Sequence, residues 1–253
     1  MVYFVGAGCG AADLITIRGM RILTRADTII YTGSLVNDEL LGYAKDSCFC
    51  YDSSRMTLDE VMEVMIRDAE KGEEVVRLHT GDPSLYGAIQ EQMRILDQRG
   101  IRYETCPGVS ACFGAAASLN LEFTLPDISQ SLIITRMAGR TPVPEKESIE
   151  SFAKHGATMA IYLSSGMLQE LQERLIAGGY SQSTKAAIVY RATWPQEKKF
   201  ICTVGTLAKT AAENGIDRFA VILVGDVIGK ADYSLSKLYD PTFETGYRKS
   251  YEN

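Results

Sequence analysis

The first half of the chain alternates short apolar runs with longer stretches of helical periodicity. Apolar runs that fit strands occupy residues 2–5, 27–31, 74–80 and 101–106, and helical stretches occupy residues 16–26, 61–72, 88–100 and the segment after Pro107. Strands that alternate with helices are typical of βαβ units, in which neighbouring strands run parallel. The pattern therefore predicts an N-terminal domain built on a parallel sheet.

The second half repeats this alternation less regularly. Strand-like runs occupy residues 131–136, 158–163, 186–191, 198–204 and 219–227, and helical stretches occupy residues 146–156, 167–179 and 206–215. The run at 198–204 follows its neighbour through a short turn-rich link without a helix, so we predict a mixed sheet. Residues 121–129 interrupt both periods. The fold expected is α/β, with domains at 1–125 and 126–253, an interdomain cleft and a polar, aromatic C-terminal arm that is ordered or faces a partner.

Composition and charge limit the classes of partner. The chain has 253 residues with a net charge of −6, which argues against nucleic acid as the main partner because such binding needs a basic footprint. No apolar run approaches the roughly 20 residues that span a bilayer, so no membrane association and a cytoplasmic location are expected. An anionic substrate would have to meet a local basic cluster.

The chain contains six scattered cysteines and two histidines, without a CxxC pair. This set is poor for zinc or an iron–sulfur cluster, so no protein-bound metal is predicted. Cys48 and Cys50 form the one close pair, but alternate residues of a strand point to opposite faces. We interpret all six as reduced structural thiols.

Three glycine-containing loops follow predicted strands. The first, Gly6 to Ala11, fits the pattern GxGxxA, in which glycines let the backbone approach a ligand. A dinucleotide site would also need an acidic residue at the end of the second strand, where Tyr31 and Thr32 stand instead. Binding of NAD or FAD and a purely structural tight turn both remain open for this loop.

The second loop, from Thr80 to Gly87, and the third, from Cys106 to Ala111, also join a strand to a helix. Open α/β sheets bind ligands at the carboxyl ends of their strands, where free amides can grip polar groups. Asp82 before Pro83 also resembles a helix start, so capping is an alternative. His79 could assist a proton step or be a hydrogen-bonded core histidine.

Taken together, these motifs closely resemble the tetrapyrrole methyltransferases of the uroporphyrinogen and precorrin type. The resemblance runs from residue 2 to about residue 250 and rests on VGAGxG, TGDPSLYGA, PGVSA, TRMAGRTPVPE, IYLSS, VYRATWP and ILVGDV. The loop TRMAGRTPVPE, the segment YRATWPQEK and the tail SKLYDPTF resemble the branch that methylates C11 of precorrin-4 or cobalt-precorrin-4. The family opening usually reads GAGPGDP, and this chain departs from it with Cys9, Ala11 and Ala12.

The resemblance implies a homodimer, an anionic tetrapyrrole substrate and S-adenosyl-L-methionine as cofactor, with S-adenosyl-L-homocysteine as product. Carried over position by position, it implies that the cofactor contacts Cys9, Thr80, Gly81, Asp82, Leu85, Ser110, Ala111, Leu163, Ala192 and Ala220.

The substrate of this family carries several carboxylates, for which bidentate arginines are the expected anchors. Arg136 and Arg140 flank a glycine-containing loop, and Arg55 and Arg191 are further candidates. No catalytic residue is assigned beyond the candidates Asp82 and His79, because an electron-rich ring carbon is itself nucleophilic. The alternatives are a methyltransferase for another target, such as uroporphyrinogen III, a nicotinamide-dependent oxidoreductase, and a non-catalytic tetrapyrrole carrier.

Overall fold

Five parallel strands form the sheet of the first unit of the chain. The computed structural model describes residues 1–229 and 233–250, and the first of its two units comprises residues 1–118 and 191–198. Its strands are β1 (Val2–Gly6), β2 (Thr28–Tyr31), β3 (Phe49–Asp52), β4 (Val75–His79) and β5 (Tyr103–Cys106). They lie in the order β3-β2-β4-β1-β5, and all four pairings are parallel.

Four helices accompany this sheet: α1 (Ile17–Leu23), α2 (Leu58–Glu70), α3 (Ile89–Gln98) and α4 (Ala111–Leu119). Helix α2 begins at a capping box, in which the Thr57 hydroxyl accepts from the Glu60 amide and the Glu60 carboxylate accepts from the Thr57 amide. Alternate residues of β1 belong to different apolar clusters, with Val2 and Phe4 in one and Tyr3 and Val5 in the other. The central strands are therefore buried on both faces, as parallel sheets require.

The second unit comprises residues 119–190 and 199–253. Its strands are β6 (Leu132–Arg136), β7 (Thr158–Tyr162), β8 (Lys185–Tyr190), β9 (Lys198–Thr203) and β10 (Ala220–Val224), in the order β6-β7-β10-β8-β9. Strands β6 and β7 pair in parallel, whereas β10 is antiparallel to both β7 and β8. Helices α5 (Ile149–Ala153), α6 (Leu168–Ala177) and α7 (Leu207–Glu213) contribute apolar residues to one core with β7, β8 and β10.

The predicted fold class is confirmed, with a parallel N-terminal sheet and a mixed C-terminal sheet. The apolar pattern did not predict β3, an edge strand whose residues are mostly exposed and so lack an apolar run. The two units of the structure differ in two ways from the predicted domains, which divide between residues 125 and 126. The first unit ends at Ser118, and it also includes residues 191–198 from the second half of the chain.

The C-terminal arm has a defined local structure between residues 233 and 250. A short 3-10 helix occupies Lys237–Tyr239, and the Arg248 guanidinium donates to the carbonyls of Leu238, Asp240 and Phe243. The last three residues of the predicted arm, 251–253, lie outside the described residues. In the part of the chain that the structure describes, no helix has the length and apolar character needed to cross a membrane.

Candidate functional site

The three glycine-containing loops follow three neighbouring strands of one parallel sheet. Strands β4, β1 and β5 are adjacent in the sheet, and the second, first and third loops respectively follow their carboxyl ends. Backbone hydrogen bonds join two of the loops: the Ala7 amide donates to the His79 carbonyl at 2.7 Å, and Gly8 and Gly81 exchange two bonds of 3.3 and 2.9 Å. The loops form one continuous backbone surface at the edge where open α/β sheets bind ligands.

Glycine at two positions, Gly6 and Gly108, is what lets these loops approach one another. A Cβ added to Gly108 would lie 2.2 Å from the Gly81 carbonyl oxygen and 2.8 Å from the Gly6 Cα. A Cβ added to Gly6 would lie 2.6 Å from both Gly108 and the Gly81 carbonyl oxygen. These contacts exclude any side chain, so the glycines serve the packing of loop against loop.

Asp82 connects the second loop to the third. One of its carboxylate oxygens accepts from the Ser84 amide at 2.9 Å and from the Ser84 hydroxyl, and the other accepts from the Gly108 amide at 2.9 Å. Partial burial opposes ionisation, but the hydrogen bonds from Ser84 and Gly108 outweigh it and lower the pKa of Asp82. An ionised carboxylate with both oxygens engaged holds the loops and is poorly suited to act as a base.

His79 is the last residue of β4 and is buried beside the Phe4 ring, with ring centroids 6.0 Å apart. Burial, with a smaller contribution from the positive charge of Arg77, lowers the pKa of His79 to about 3. Its Nε2 atom is buried without a hydrogen-bond partner among the described residues. His79 is therefore a neutral buried histidine, and the expected hydrogen bond of a core histidine is missing at Nε2.

Residues 191–198, here called the returning segment, contact the first loop although they lie far away in sequence. The Ala11 amide donates to the Thr193 hydroxyl oxygen at 3.0 Å. A Cβ added to Gly10 would lie 2.3 Å from Cδ1 of Trp194 and 2.6 Å from the Ala192 carbonyl oxygen. Gly10, which occupies an x position of GxGxxA, is thus required by a protein contact.

Cys9, the departure from the family loop, is buried against this segment. The Thr193 hydroxyl donates to the Cys9 sulfur at 3.5 Å, and a Cβ added to Gly114 would lie 2.7 Å from the Cys9 Cβ. Burial raises the pKa of the Cys9 thiol, although the bond from Thr193 opposes this. A thiol that stays protonated is a weak nucleophile.

Two further predicted cofactor positions belong to the second unit. Leu163 follows β7 in a left-handed conformation, with φ of 53° and 67% of its surface exposed. Ala220 is the first residue of β10 and is buried, and its carbonyl accepts from the Ser165 hydroxyl at 3.1 Å. An exposed leucine in a strained conformation at a strand end is typical of a functional position.

Backbone strain concentrates around the predicted cofactor residues. Eight non-glycine residues among those described have positive φ, and five of them lie at or next to a predicted cofactor residue. These five are Tyr86, Leu163, Arg191, Thr193 and Phe219. Each such residue costs on the order of 1–3 kcal/mol, so contacts within its own unit must enforce the conformation.

The four candidate arginines have different surroundings. Arg136 donates through Nη1 to the carbonyls of Met137 and Thr141 and through Nη2 to that of Pro142, so it holds its own loop. Arg140, in the same loop, is exposed and has no hydrogen-bond or ion-pair partner in residues 1–229 and 233–250. In the first unit, Arg191 lies over the Trp194 ring at 5.4 Å, and Arg55 is exposed in a short 3-10 helix.

A cavity of about 400 Å³ opens beside the first loop, within the first unit. Asp13 and Glu39 line it together with Tyr43, Asn37 and Trp194, and none of its lining residues is basic. Its acidic lining makes it unsuitable for the carboxylates of an anionic substrate. No group of three or more metal-ligating side chains is present among the described residues, and all six cysteines are free.

The sequence did not single out Thr193, Glu197 or Ser118, whose hydrogen bonds hold the returning segment to the first loop and to α4. Thr193 and Glu197 lie in the motif YRATWPQEK, but nothing in that pattern indicated that the segment packs with the first unit. Positive φ at a threonine leaves no signature in sequence, because glycine is the residue expected there.

Comparison with known proteins identifies the family. Residues 1–208 match the family model described as Tetrapyrrole (Corrin/Porphyrin) Methylases. The chain is 49% identical over 251 residues to a cobalt-precorrin-4 C(11)-methyltransferase of Methanocaldococcus jannaschii, covering 99% of this chain and 97% of the relative. It is 42% identical to the protein of that name from Priestia megaterium, covering 98% and 97%.

The fold also matches a solved structure over most of its length. The match is to a cobalamin biosynthetic enzyme, cobalt precorrin-4 methyltransferase, with a TM-score of 0.88 and 41% identity, covering 90% of this chain and 96% of that chain. From the family match and the full-length similarity, the chain belongs to the tetrapyrrole (corrin/porphyrin) methylases.

Proposed function

We propose that this chain is an S-adenosyl-L-methionine-dependent C-methyltransferase that acts at C11 of cobalt-precorrin-4 or precorrin-4. The observation that carries the proposal is the 49% identity over nearly the whole chain to a relative of that name. The geometry of the first unit supports it, because three loops at adjacent strand ends are fixed in contact. Within that unit, Tyr86, Arg191 and Thr193 have positive φ next to proposed cofactor residues.

The residues of the first unit fit an adenosyl cofactor. The exposed Thr80 hydroxyl has no hydrogen-bond partner in the described part of the chain and can donate to a ligand. Ser110 directly precedes α4 and Ala111 is its first residue, and a Cβ added to Gly81 in the second loop would lie 3.4 Å from the Ser110 Cα. The proposed cofactor contacts are those inferred from the family: Cys9, Thr80, Gly81, Asp82, Leu85, Ser110, Ala111, Leu163, Ala192 and Ala220.

When bound, S-adenosylmethionine supplies an electrophilic methyl group on a sulfonium for in-line displacement by a nucleophilic ring carbon. The protein then contributes chiefly by positioning, which can supply a large part of the barrier reduction when the reacting groups are held close and aligned. The hydrogen bonds of Asp82 and the glycine contacts fix the loops that would do so. Asp82 acts in this proposal as a positioning residue.

Arginines are proposed to anchor the substrate carboxylates. Arg140 is the strongest candidate, because its guanidinium is exposed and uncommitted in the described part of the chain. Arg136 has three of its five N–H groups engaged within its own loop, so its main role is to shape the loop that presents Arg140. Arg55 and Arg191 remain proposed contacts. Cobalt, where present, belongs to the substrate.

We further propose a cytoplasmic homodimer. The six free cysteines support a reducing compartment, where thiols persist without pairing. Light scattering on the purified chain would give the oligomeric state, and a monomer at micromolar concentration would contradict the dimer.

The function is tested by methyl transfer with isotopically labelled S-adenosylmethionine. The purified chain is incubated under anaerobic conditions with cobalt-precorrin-4, metal-free precorrin-4 or uroporphyrinogen III, and the labelled carbon is located by NMR. We expect label at C11 with one or both precorrin-4 substrates, and the faster of the two identifies the natural one. Transfer to uroporphyrinogen III alone would refute the proposed substrate. Calorimetric binding of NAD without binding of S-adenosylhomocysteine would refute the reaction class.

A further inference from the structure

The returning segment connects two neighbouring strands of one sheet but packs with the other unit. It lies between β8 and β9, which are adjacent in the second sheet, yet residues 191–198 belong to the first unit by their contacts. Holding such a connection in one conformation costs conformational entropy. Specific contacts with the first unit must therefore offset that cost.

The segment is held in a strained conformation. Arg191 and Thr193 have φ of 46° and 67°, although neither is glycine. Left-handed φ is especially unfavourable for a β-branched residue such as threonine, so surrounding contacts must enforce it.

Glu197 supplies one of these contacts. Its Oε2 atom accepts from the Thr193 amide at 2.6 Å and from the Ser118 hydroxyl at the end of α4. Hydrogen bonds to a carboxylate are stronger than those between neutral groups. Glu197 therefore ties the strained turn to a helix of the first unit.

The Thr193 hydroxyl supplies the second contact, this time to the first loop. It accepts from the Ala11 amide at 3.0 Å and donates to the Cys9 sulfur at 3.5 Å. The Thr193 hydroxyl thus accepts a hydrogen bond from one residue of the first loop and donates a hydrogen bond to another. Ala192, a proposed cofactor contact, immediately precedes it in the chain.

We propose that Thr193 and Glu197 are positioning residues that lock the returning segment against the first loop and thereby set the affinity for the adenosyl cofactor. The inference rests on the proposed function, since Cys9 and Ala192 are cofactor contacts only within it. The hydroxyl holds Cys9 and the Ala11 amide next to Ala192, which precedes Thr193 in the chain, and the carboxylate maintains the backbone turn that presents the hydroxyl. Neither residue needs to contact the ligand.

The test compares Thr193→Val, which removes the hydroxyl but keeps the shape, with Thr193→Ser, which keeps the hydroxyl. Calorimetry with S-adenosylhomocysteine should show a dissociation constant about tenfold larger for Thr193→Val, equivalent to about 1.4 kcal/mol of binding free energy. Thr193→Ser should bind with near wild-type affinity. Glu197→Ala should weaken binding more than Glu197→Gln, whose amide oxygen can still accept. Trp194 is the only tryptophan of the chain, so its emission reports directly on the segment.

Thr28→Val is the matched control, because it removes a hydroxyl of the same kind away from the returning segment. Thr28 is the buried first residue of β2, and its hydroxyl donates to the Asp68 carboxylate. This variant should reduce the free energy of unfolding while leaving the dissociation constant and the Trp194 emission of the unliganded protein unchanged. Thr193→Val should shift that emission. Wild-type affinity in Thr193→Val, or equal losses in Thr193→Val and Thr193→Ser, would overturn the inference. If the wild-type chain bound no S-adenosylhomocysteine, the proposed function would fail first, and the inference with it.

Discussion

Replacing Gly108 by alanine tests whether contact between the loops, rather than any side chain, builds the site. The new Cβ would lie 2.2 Å from the Gly81 carbonyl oxygen, about 1 Å short of an ordinary van der Waals contact. The opposing atoms belong to backbone, so no side chain can rotate away. Relief requires that the second and third loops separate, and the Asp82 bond to the Gly108 amide would lengthen with them.

The size of the effect follows from this geometry. Overpacking of a well-packed region costs about 1–3 kcal/mol, which should appear in the free energy of unfolding. A displacement of about 1 Å at a positioning site can cost roughly 100-fold in rate. We expect Gly108→Ala to remain folded, to bind S-adenosylhomocysteine about 10- to 100-fold more weakly and to transfer methyl groups correspondingly slowly.

The assays are urea unfolding, calorimetry with S-adenosylhomocysteine and single-turnover methyl transfer. Gly42→Ala is the matched control, because its new Cβ meets no atom within 4 Å and its φ is not in the left-handed region. That variant should be as stable as the wild type or slightly more so. Gly108→Ala with wild-type stability and cofactor affinity within twofold of wild type would refute the argument.

Two further predictions concern charged and titratable groups. Arg140→Ala should weaken tetrapyrrole binding by about 1–3 kcal/mol and spare S-adenosylhomocysteine, whereas the exposed Arg99→Ala should affect neither; equal losses for both ligands would show that the loop only supports the fold. The pKa of His79 falls from 6.5 to about 3 on folding, so the unfolded chain takes up the proton first as the pH drops. Proton uptake by His79 in the unfolded chain should therefore lower the free energy of unfolding progressively as the pH falls from 6.5 to about 3. The decrease should reach about 2 kcal/mol at pH 5. Urea unfolding of His79→Gln should lose this part of the pH dependence, and the exposed His155→Gln should retain it; parallel pH profiles for wild type and His79→Gln would contradict the assignment.

The alternation of apolar runs was enough to predict the order of most elements and the two kinds of sheet. It worked because central strands such as β1 and β10 are buried and therefore apolar along their whole length. The same pattern failed to predict β3, because the exposed residues of that strand form no apolar run. The positions of the three glycine-containing loops also followed from sequence, since each lies between a strand and a helix.

The partners of those loops could not be predicted in the same way. The spacing in GxGxxA suggested that its glycines admit a ligand, but Gly6 accommodates the third loop. Gly10, at an x position of the pattern, accommodates Trp194. Such contacts join residues distant in the chain, and the pattern of a single sequence carries no information about which distant residues meet. The assignment of residues 191–198 to the first unit is a property of three-dimensional packing alone.

The candidate reactive groups near the loops are all held in unreactive states. Burial keeps the Cys9 thiol protonated, Asp82 has both oxygens engaged, and His79 is buried and neutral at physiological pH. A nucleophile would need a thiolate or an adjacent base, and a general base would need a pKa near the working pH. None of the three meets these conditions, so we expect none of them to act as a nucleophile or general base, and we expect the rate enhancement to come from positioning. It follows that small changes of shape at Gly108 or Thr193 should reduce methyl transfer more than removal of the thiol in Cys9→Ala.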